Sequence, residues 1–468
     1  MSDTSQPHSD SADAPAAERR RLRVAVIGAG PAGIYASDLL INNQDHDVQV
    51  DLFEKMPAPF GLIRYGVAPD HPRIKGIVKS LHRVLDKEGI RLIANVEIGK
   101  DITLDELQDY YDAVVISTGA TKDRDFDLPG ADAEGVHGAA EFVGFYDGNP
   151  LFERDWDLSA KNVAVIGVGN VGLDASRILA KSAEELHVTE IPDNVYEALK
   201  RNQAEKIHVF GRRGPAQTKF TPQELKELDH SENVHVIVDP EDIDYDEASE
   251  TARANAKATD QVCQILEGYA MRDEDPSKRT LQIHLFESPV EVLTNDGKVV
   301  GLRTERTELD GTGQVRGTGT TTDWPVEAIY TAIGYRSDVL PGLPFDDQLG
   351  VIPNDGGHVL ANAGGEAITG VYVTGWIKRG PIGLIGNTKS DAKQTTDMLF
   401  ADVAKLSTPE HSDPDAILAL LESRDVTVTT WDGWYRLDEA ERAAGEAEGR
   451  ERKKFVEWDE MVDAATAQ

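Results

Sequence analysis

Val24-Ala25-Val26-Ile27-Gly28-Ala29-Gly30-Pro31-Ala32-Gly33 sets the reading of everything that follows it. Four apolar residues make a candidate buried parallel strand, and glycines stand at positions 28, 30 and 33. Ile34 to Ile41 continues as the opening of a helix. In a G-x-G-x-x-G turn the first glycine takes the tight bend. The second lets the backbone approach a pyrophosphate, and the third lets the helix pack against the strand. The helix start turns free N–H groups and the positive end of its dipole toward the phosphates. The spacing alone is a weak signal, and an acid at the end of the next strand strengthens it. Val48 to Phe53 is that strand, and Glu54 ends it, 21 residues beyond Gly33. A carboxylate there accepts the hydroxyls of an adenosine ribose, suits FAD or NAD, and repels a 2′-phosphate.

The same pattern returns in Val163-Ala164-Val165-Ile166-Gly167-Val168-Gly169-Asn170-Val171-Gly172, with a helix expected from Leu173 to Lys181. Two fingerprints imply two dinucleotide sites. Here the following strand, Ile207 to Phe210, ends in Gly211-Arg212-Arg213-Gly214, and no acid occupies its end. Forked guanidiniums suit a 2′-phosphate. An exposed basic turn is the plainer alternative. Against it, the chain has 83 acidic and 48 basic residues, so an Arg pair at this position is not a product of composition. The first site therefore reads as FAD and the second as NADP(H). Their cofactor-binding positions are Gly28, Gly30, Gly33 and Glu54 in one, and Gly167, Gly169, Gly172 and Leu173 in the other.

Between and beyond these units the sequence alternates loops and short elements. Lys55 to Pro72 is dense in Pro and Gly yet apolar, so it reads as a long loop lying against a ligand. His71 within it is either a structural hydrogen-bonding group or a functional one. Ile74 to Leu85 reads as a helix, Ile90 to Ile98 as one or two short strands, and Asp112 to Ala120 as a buried strand. That last strand closes on Thr118-Gly119-Ala120, where Gly119 lets backbone pass close to a dinucleotide. Glu184 to Glu205 is a polar, partly helical excursion. Thr221, Pro222 and Glu224 make a capping box with Pro at the first helical position, so Glu224 has a structural reading too. Residues 237–260 are acidic and weakly patterned. Leu281 to Glu287, Glu291 to Leu293, Val299 to Thr304 and Ala328 to Ile333 predict a small β meander. Gly370 to Asn387 brings a strand to Gly375, then Trp376 and a Gly-rich turn into a helix from about Ser390. Trp376 is core or a flavin contact. The last 65 residues are acidic and helical, with Trp431, Trp434 and Tyr435 expected to pack them onto the first domain.

At 468 residues the chain has room for two or three domains. Residues 1–20 read as a disordered tail without signal or transit features. No run of about 18 apolar residues occurs, so no membrane span is expected. The single cysteine, Cys263, excludes a C-x-x-C redox pair and a cysteine-ligated cluster held by this chain alone, and it points to the cytoplasm. A net charge of −35 excludes nucleic acid as a partner.

With these residues assembled, the chain resembles ferredoxin–NADP reductases of the adrenodoxin reductase type, in particular bacterial members. The resemblance runs from about Leu22 to Lys454. It is carried by the run from Pro57 to Pro72, by Gly169-Asn170-Val171, by Gly211 to Pro215 and by Gly375 to Gly383. It implies FAD contacts at Ala32, Glu54, Leu62, Val96, Trp376, Gly383, Leu384 and Ile385. It implies NADP contacts at Arg124, Asn170, Val171, Arg212, Arg213 and Glu224, with His71 and Glu224 paired near the flavin as the catalytic residues and no metal. The implied reaction is hydride transfer from nicotinamide C4 to flavin N5, then one-electron steps to a ferredoxin-type iron–sulfur partner. Two departures stand out: Gly172 replaces the usual Ala, and residues 250–275 offer only Arg253, Lys257 and Arg272 for docking. Lys378 and Arg379 are then the candidate docking cations.

The expected fold is α/β, with two Rossmann-like three-layer dinucleotide-binding domains. The FAD domain comprises 21–119 and 334–468, and an NADP domain of 120–333 is inserted into it. A dithiol flavoenzyme is set aside for lack of cysteines. A flavin monooxygenase or diaphorase acting on an organic acceptor is the enzymatic alternative, and a redox-sensing binding module is the non-enzymatic one.

Overall fold

The computed structural model describes residues 21–381 and 385–467. Its first sheet has seven strands, in the order Asn354–Asp355, His358–Leu360, Ala367–Val373, Ala113–Ile116, Leu22–Ile27, Val48–Glu54 and Ile90–Ala94. The last five run parallel, and the two short edge strands are antiparallel. Successive residues of the first-fingerprint strand feed opposite cores. Val24 and Val26 join one apolar cluster and Ala25 and Ile27 the other. This two-sided burial is why the strand reads as an unbroken apolar run.

The second sheet has six parallel strands, in the order Val136–Gly138, Ala328–Thr331, Asn162–Ile166, Lys206–Gly211, Arg279–Leu285 and Val234–Val238. Its segments lie within the interval between the first sheet's Ala113–Ile116 and Asn354–Asp355. The chain leaves and returns side by side, through an antiparallel pair formed by Lys122–Asp123 and Tyr335–Arg336. The two α/β units are thus nested, one inserted into the other.

The expected four-strand meander is corrected here. Arg279–Leu285 and Ala328–Thr331 belong to the parallel sheet, and the antiparallel meander is Glu287–Asn295, Lys298–Leu309 and Val315–Trp324. Short apolar runs look alike whether they enter a parallel sheet or a hairpin. The meander covers one face of the second sheet, where Val292, Val299 and Leu302 pack with Ala164, Ile166 and Phe210.

The helix expected over 74–85 is two pieces, Pro72–Lys75 and Val78–Leu85, and the loop before it contains a helical turn at Leu62–Tyr65. Residues 237–260 carry more helix than their pattern suggests, with Glu247–Asn255 and Lys257–Ala270. Trp431–Glu446 packs on the first unit through Trp434, which is buried against Phe60 and under the Arg64 guanidinium. Tyr435 stays exposed, its hydroxyl donating to Asp86. Among the described residues no helix is long and apolar enough to cross a membrane. The expected tail, residues 1–20, lies outside the described residues.

Candidate functional site

Each fingerprint is built the same way. Gly28 has φ +106°, and a Cβ there would stand 2.6 Å from Ser117 O. Gly167 has φ +130°, with Ala332 O in the equivalent place. Side chains at Gly33 and Gly172 would overlap the carbonyls of Gly28 and Gly167, so helix and strand touch backbone to backbone. Even a single methyl group at position 172 would require a shift.

Both following helices start without a side-chain cap. The first helical bonds are Ile34 N to Gly30 O and Leu173 N to Gly169 O. Ala32 and Gly33 in one helix, and Asn170, Val171 and Gly172 in the other, therefore keep N–H groups without a helical acceptor. Leu173 itself is corrected: its N–H is committed and its side chain is fully buried in the core.

Around the first turn the structure gathers most of the residues expected there. Glu54 is buried, and its carboxylate accepts from Ala29 N (2.9 Å) and Met56 N (3.0 Å). Burial pushes its pKa up, and those backbone donors pull it down. Val96 N donates to Glu54 O, and Phe60 N donates to Ala29 O, which lays the Pro- and Gly-rich loop over the turn. Gly61 closes on Gly30, and Gly375 faces Ala32. Leu62 opens the helical turn just beyond Gly61. Gly119 is left-handed (φ +78°), with open space where a side chain would be. Gly383 and Leu384 lie outside the described residues, and Ile385 begins the helix Ile385–Ala401.

Around the second turn, Gly169 likewise faces open space. The neighbouring strand Lys206–Gly211 delivers Arg212 and Arg213 at its end. Their carbonyls are pinned, Arg212 O by the Thr307 hydroxyl (2.7 Å) and Arg213 O by Phe286 N (3.3 Å). Their guanidiniums have no ion pair among the described residues. Arg124 sits on the crossover, where its N–H donates to Gly334 O and its Nε to Tyr335 O.

The two units meet where Val171 and Trp376 pack on one apolar cluster of Ala120, Ala140 and Tyr335. Beside it, His71 from the first unit enters a set of carboxylates from the second. Its Nε2 lies 2.8 Å from both Asp174 Oδ1 and Glu224 Oε2, and its Nδ1 lies 2.7 Å from Glu227 Oε2. Burial opposes a charge on the ring, but the bonds to Asp174 and Glu224 outweigh it and raise the imidazole to about 10. Arg177, 2.8 Å from the same Nε2, works against that charge. Arg177 in turn clasps Asp70, which burial would raise but which Arg177 and Lys181 hold far below the usual carboxylate range. His71, Glu224 and Glu227 have ligand spacing for a metal. An ion there would have to displace the proton of the His71 ring.

Glu224 does not complete the expected capping box. Thr221 Oγ1 accepts from Glu224 N (3.3 Å), but the Thr221 N–H goes to Asn170 Oδ1 (2.9 Å), which frees the Glu224 carboxylate for His71. Asp174, Arg177 and Glu227 were missed. The available signal was an acid and a base, three apart, amid the apolar residues of a helix packed on a sheet. The docking cations are also corrected. Lys378 is buried, with its Nζ 3.1 Å from Asp391 and bonded to Gln394 and Thr395. Arg379 lies 3.7 Å from Asp391. Arg253 and Arg272 are held by Asp260, Glu267 and Asp229.

Two uncapped helix starts, one beside a buried carboxylate and the other following a strand that ends at Arg212 and Arg213, define an oxidoreductase of the two-dinucleotide class. Residues 22–212 match the family described as pyridine nucleotide-disulphide oxidoreductase, although the chain's single cysteine cannot form the disulphide of that name. NADPH-ferredoxin reductase FprA of Mycobacterium tuberculosis is 38% identical over 459 residues, covering 95% of this chain and 99% of that protein. The mitochondrial NADPH:adrenodoxin oxidoreductase of Bos taurus is 35% identical, covering 94% and 91%. The solved structure of M. tuberculosis FprA in complex with NADPH superposes with a TM-score of 0.89 at 37% identity, over 95% of this chain and all of that one. The chain belongs to the family of NADPH-ferredoxin and NADPH:adrenodoxin reductases, which are flavoprotein oxidoreductases.

Proposed function

We propose that the seven-stranded unit, 21–119 with 334–468, holds FAD and that the inserted unit, 120–333, holds NADPH, so that the enzyme passes electrons from NADPH to an iron–sulfur ferredoxin in the cytoplasm. The observation that carries this reading is the opposite charge at two equivalent strand ends, Glu54 in one unit and Arg212–Arg213 in the other. The first turn fits FAD: its helix start is uncapped, and a buried carboxylate stands where ribose hydroxyls would be received. When bound, FAD supplies the conversion of a two-electron donor into one-electron steps. The protein's own residues hold and orient. Ala32 and Gly33 offer N–H groups to the pyrophosphate of FAD, and Val171 and Trp376 close the contact between the units. His71 fixes the Glu224 carboxylate while keeping its own proton at neutral pH. A free, buried Cys263 accords with a reducing compartment.

The test is cofactor preference. Each guanidinium–phosphate interaction is worth roughly 1.5–3 kcal/mol. At about 1.36 kcal/mol per decade, NADPH should exceed NADH by roughly two to four decades in kcat/KM. Arg212→Ala/Arg213→Ala should erase most of that preference by weakening NADPH, with FAD content and NADH turnover kept. A double variant that keeps the full preference overturns the assignment.

A further inference from the structure

We infer that Lys219 is a third cation of the NADPH site, directed at the pyrophosphate and not at the 2′-phosphate. The inference rests on the reading that the second fingerprint receives NADPH. Lys219 lies beside the glycine turn itself: it forms a parallel bridge with Gly169, and its N–H donates to Val168 O (2.8 Å). Two residues on, Thr221 N donates to Asn170 Oδ1 (2.9 Å). The backbone of Lys219 is thereby fastened on both sides to the turn whose helix start leaves the N–H groups of Val171 and Gly172 free. Bridged backbones lie about 5 Å apart, within the span of a lysine's four-carbon stem.

The side chain is exposed and has no carboxylate within ion-pair distance among the described residues. Lys181 and buried Lys378, by contrast, are claimed by aspartates. An ammonium beside the positive end of a helix dipole is unfavourable until an anion arrives. The order of the segment says which anion. Arg212 and Arg213 stand at the strand end that takes the adenosine ribose, and Glu224 stands at His71. Lys219 falls between them, at the turn that receives the pyrophosphate.

NADPH, NADP+ and NADH share that pyrophosphate, so Lys219 strengthens all three without choosing among them. In Lys219→Ala, the Kd for NADP+ measured by equilibrium titration should rise about tenfold, the loss of one charge-assisted bond. kcat/KM for NADPH and for NADH should fall in the same ratio, and Lys219→Arg should restore most of both. 2′-AMP, which has the 2′-phosphate and no pyrophosphate, should bind Lys219→Ala as it binds the wild type. It should be lost from Arg212→Ala/Arg213→Ala. An unchanged Kd for NADP+ in Lys219→Ala, or weakened 2′-AMP binding by that variant, overturns the inference. Full 2′-AMP affinity in the Arg double variant instead overturns the site assignment on which the inference rests.

Discussion

His71 shows what one side chain can do in a protein so rich in acids. It is buried, and carboxylates surround both ring nitrogens. Its charge is favoured in the folded state, with a pKa of about 10 against an ordinary 6.5. A raised pKa stabilises the fold fully below about 6.5, and that contribution drains away as pH rises toward 10. The wild-type Tm should therefore fall between pH 7 and pH 10. His71→Gln, which cannot carry the charge, should start from a lower Tm at pH 7 and show a flatter profile over that window. Parallel profiles would mean that the ring is not charged in the fold. Of this cluster, His71 and Glu224 were legible in the sequence, each with a structural reading beside the functional one. Asp174 and Arg177 were not, because nothing local distinguishes a buried ion pair on a core helix from surface charge.

Two neighbouring strands of the second sheet supply the opposite case. Lys206–Gly211 and Arg279–Leu285 run parallel, and across them His208 Nδ1 meets His284 Nε2 at 2.8 Å. Trp324 from the meander lies tilted beside His284, with ring centroids 4.4 Å apart. Burial lowers both rings, and Lys206 adds to it: His208 falls to about 4 and His284 well below its ordinary value. The folded protein then refuses protons that the unfolded chain takes up. Stability is complete above about 6.5 and is lost as pH falls from there toward 4. The urea midpoint should drop between pH 7 and pH 5. The paired replacement His208→Leu/His284→Leu, which leaves neither partner unsatisfied, should flatten that acid limb. An acid limb as steep as the wild type's would place the titration elsewhere. The pair exists only because Arg279–Leu285 is a sheet strand and not part of the meander, an arrangement its sequence pattern does not express.

At the scale of the molecule, the chain returns near its end to tie the nested units together. Lys454 is buried, and its Nζ donates to Arg64 O (2.6 Å) in the first unit and to Asp147 O (3.0 Å) in the second, 2.7 Å from Glu190. Arg450 reaches Asp193 from the same segment. Lys75 also pairs with Asp147 and Glu190, so one lysine would remain for two buried acids if Lys454 were lost. Lys454→Met keeps the bulk and removes the charge. It should cost about 3–5 kcal/mol, the usual price of an uncompensated buried ion, read as a lower urea midpoint with FAD still bound in native buffer. A midpoint equal to the wild type's would show that the tie contributes nothing.

Two strand–glycine–helix units, and the sign of the charge that ends each second strand, were determined by the sequence alone. Those features depend on contiguous residues: a left-handed bend at Gly28 or Gly167, a Cβ-free contact at Gly33 or Gly172, and an acid or an arginine at a countable distance. Only the tertiary structure decided that Glu224 turns from its cap to His71, that Lys378 is spent on Asp391, and that Lys219 lies beside Gly169 with no ion pair among the described residues. Each of those outcomes depends on which backbone arrives next to a side chain. His71 and Glu224 are far apart along the chain, and no local pattern encodes a partner that only the packing of two units delivers.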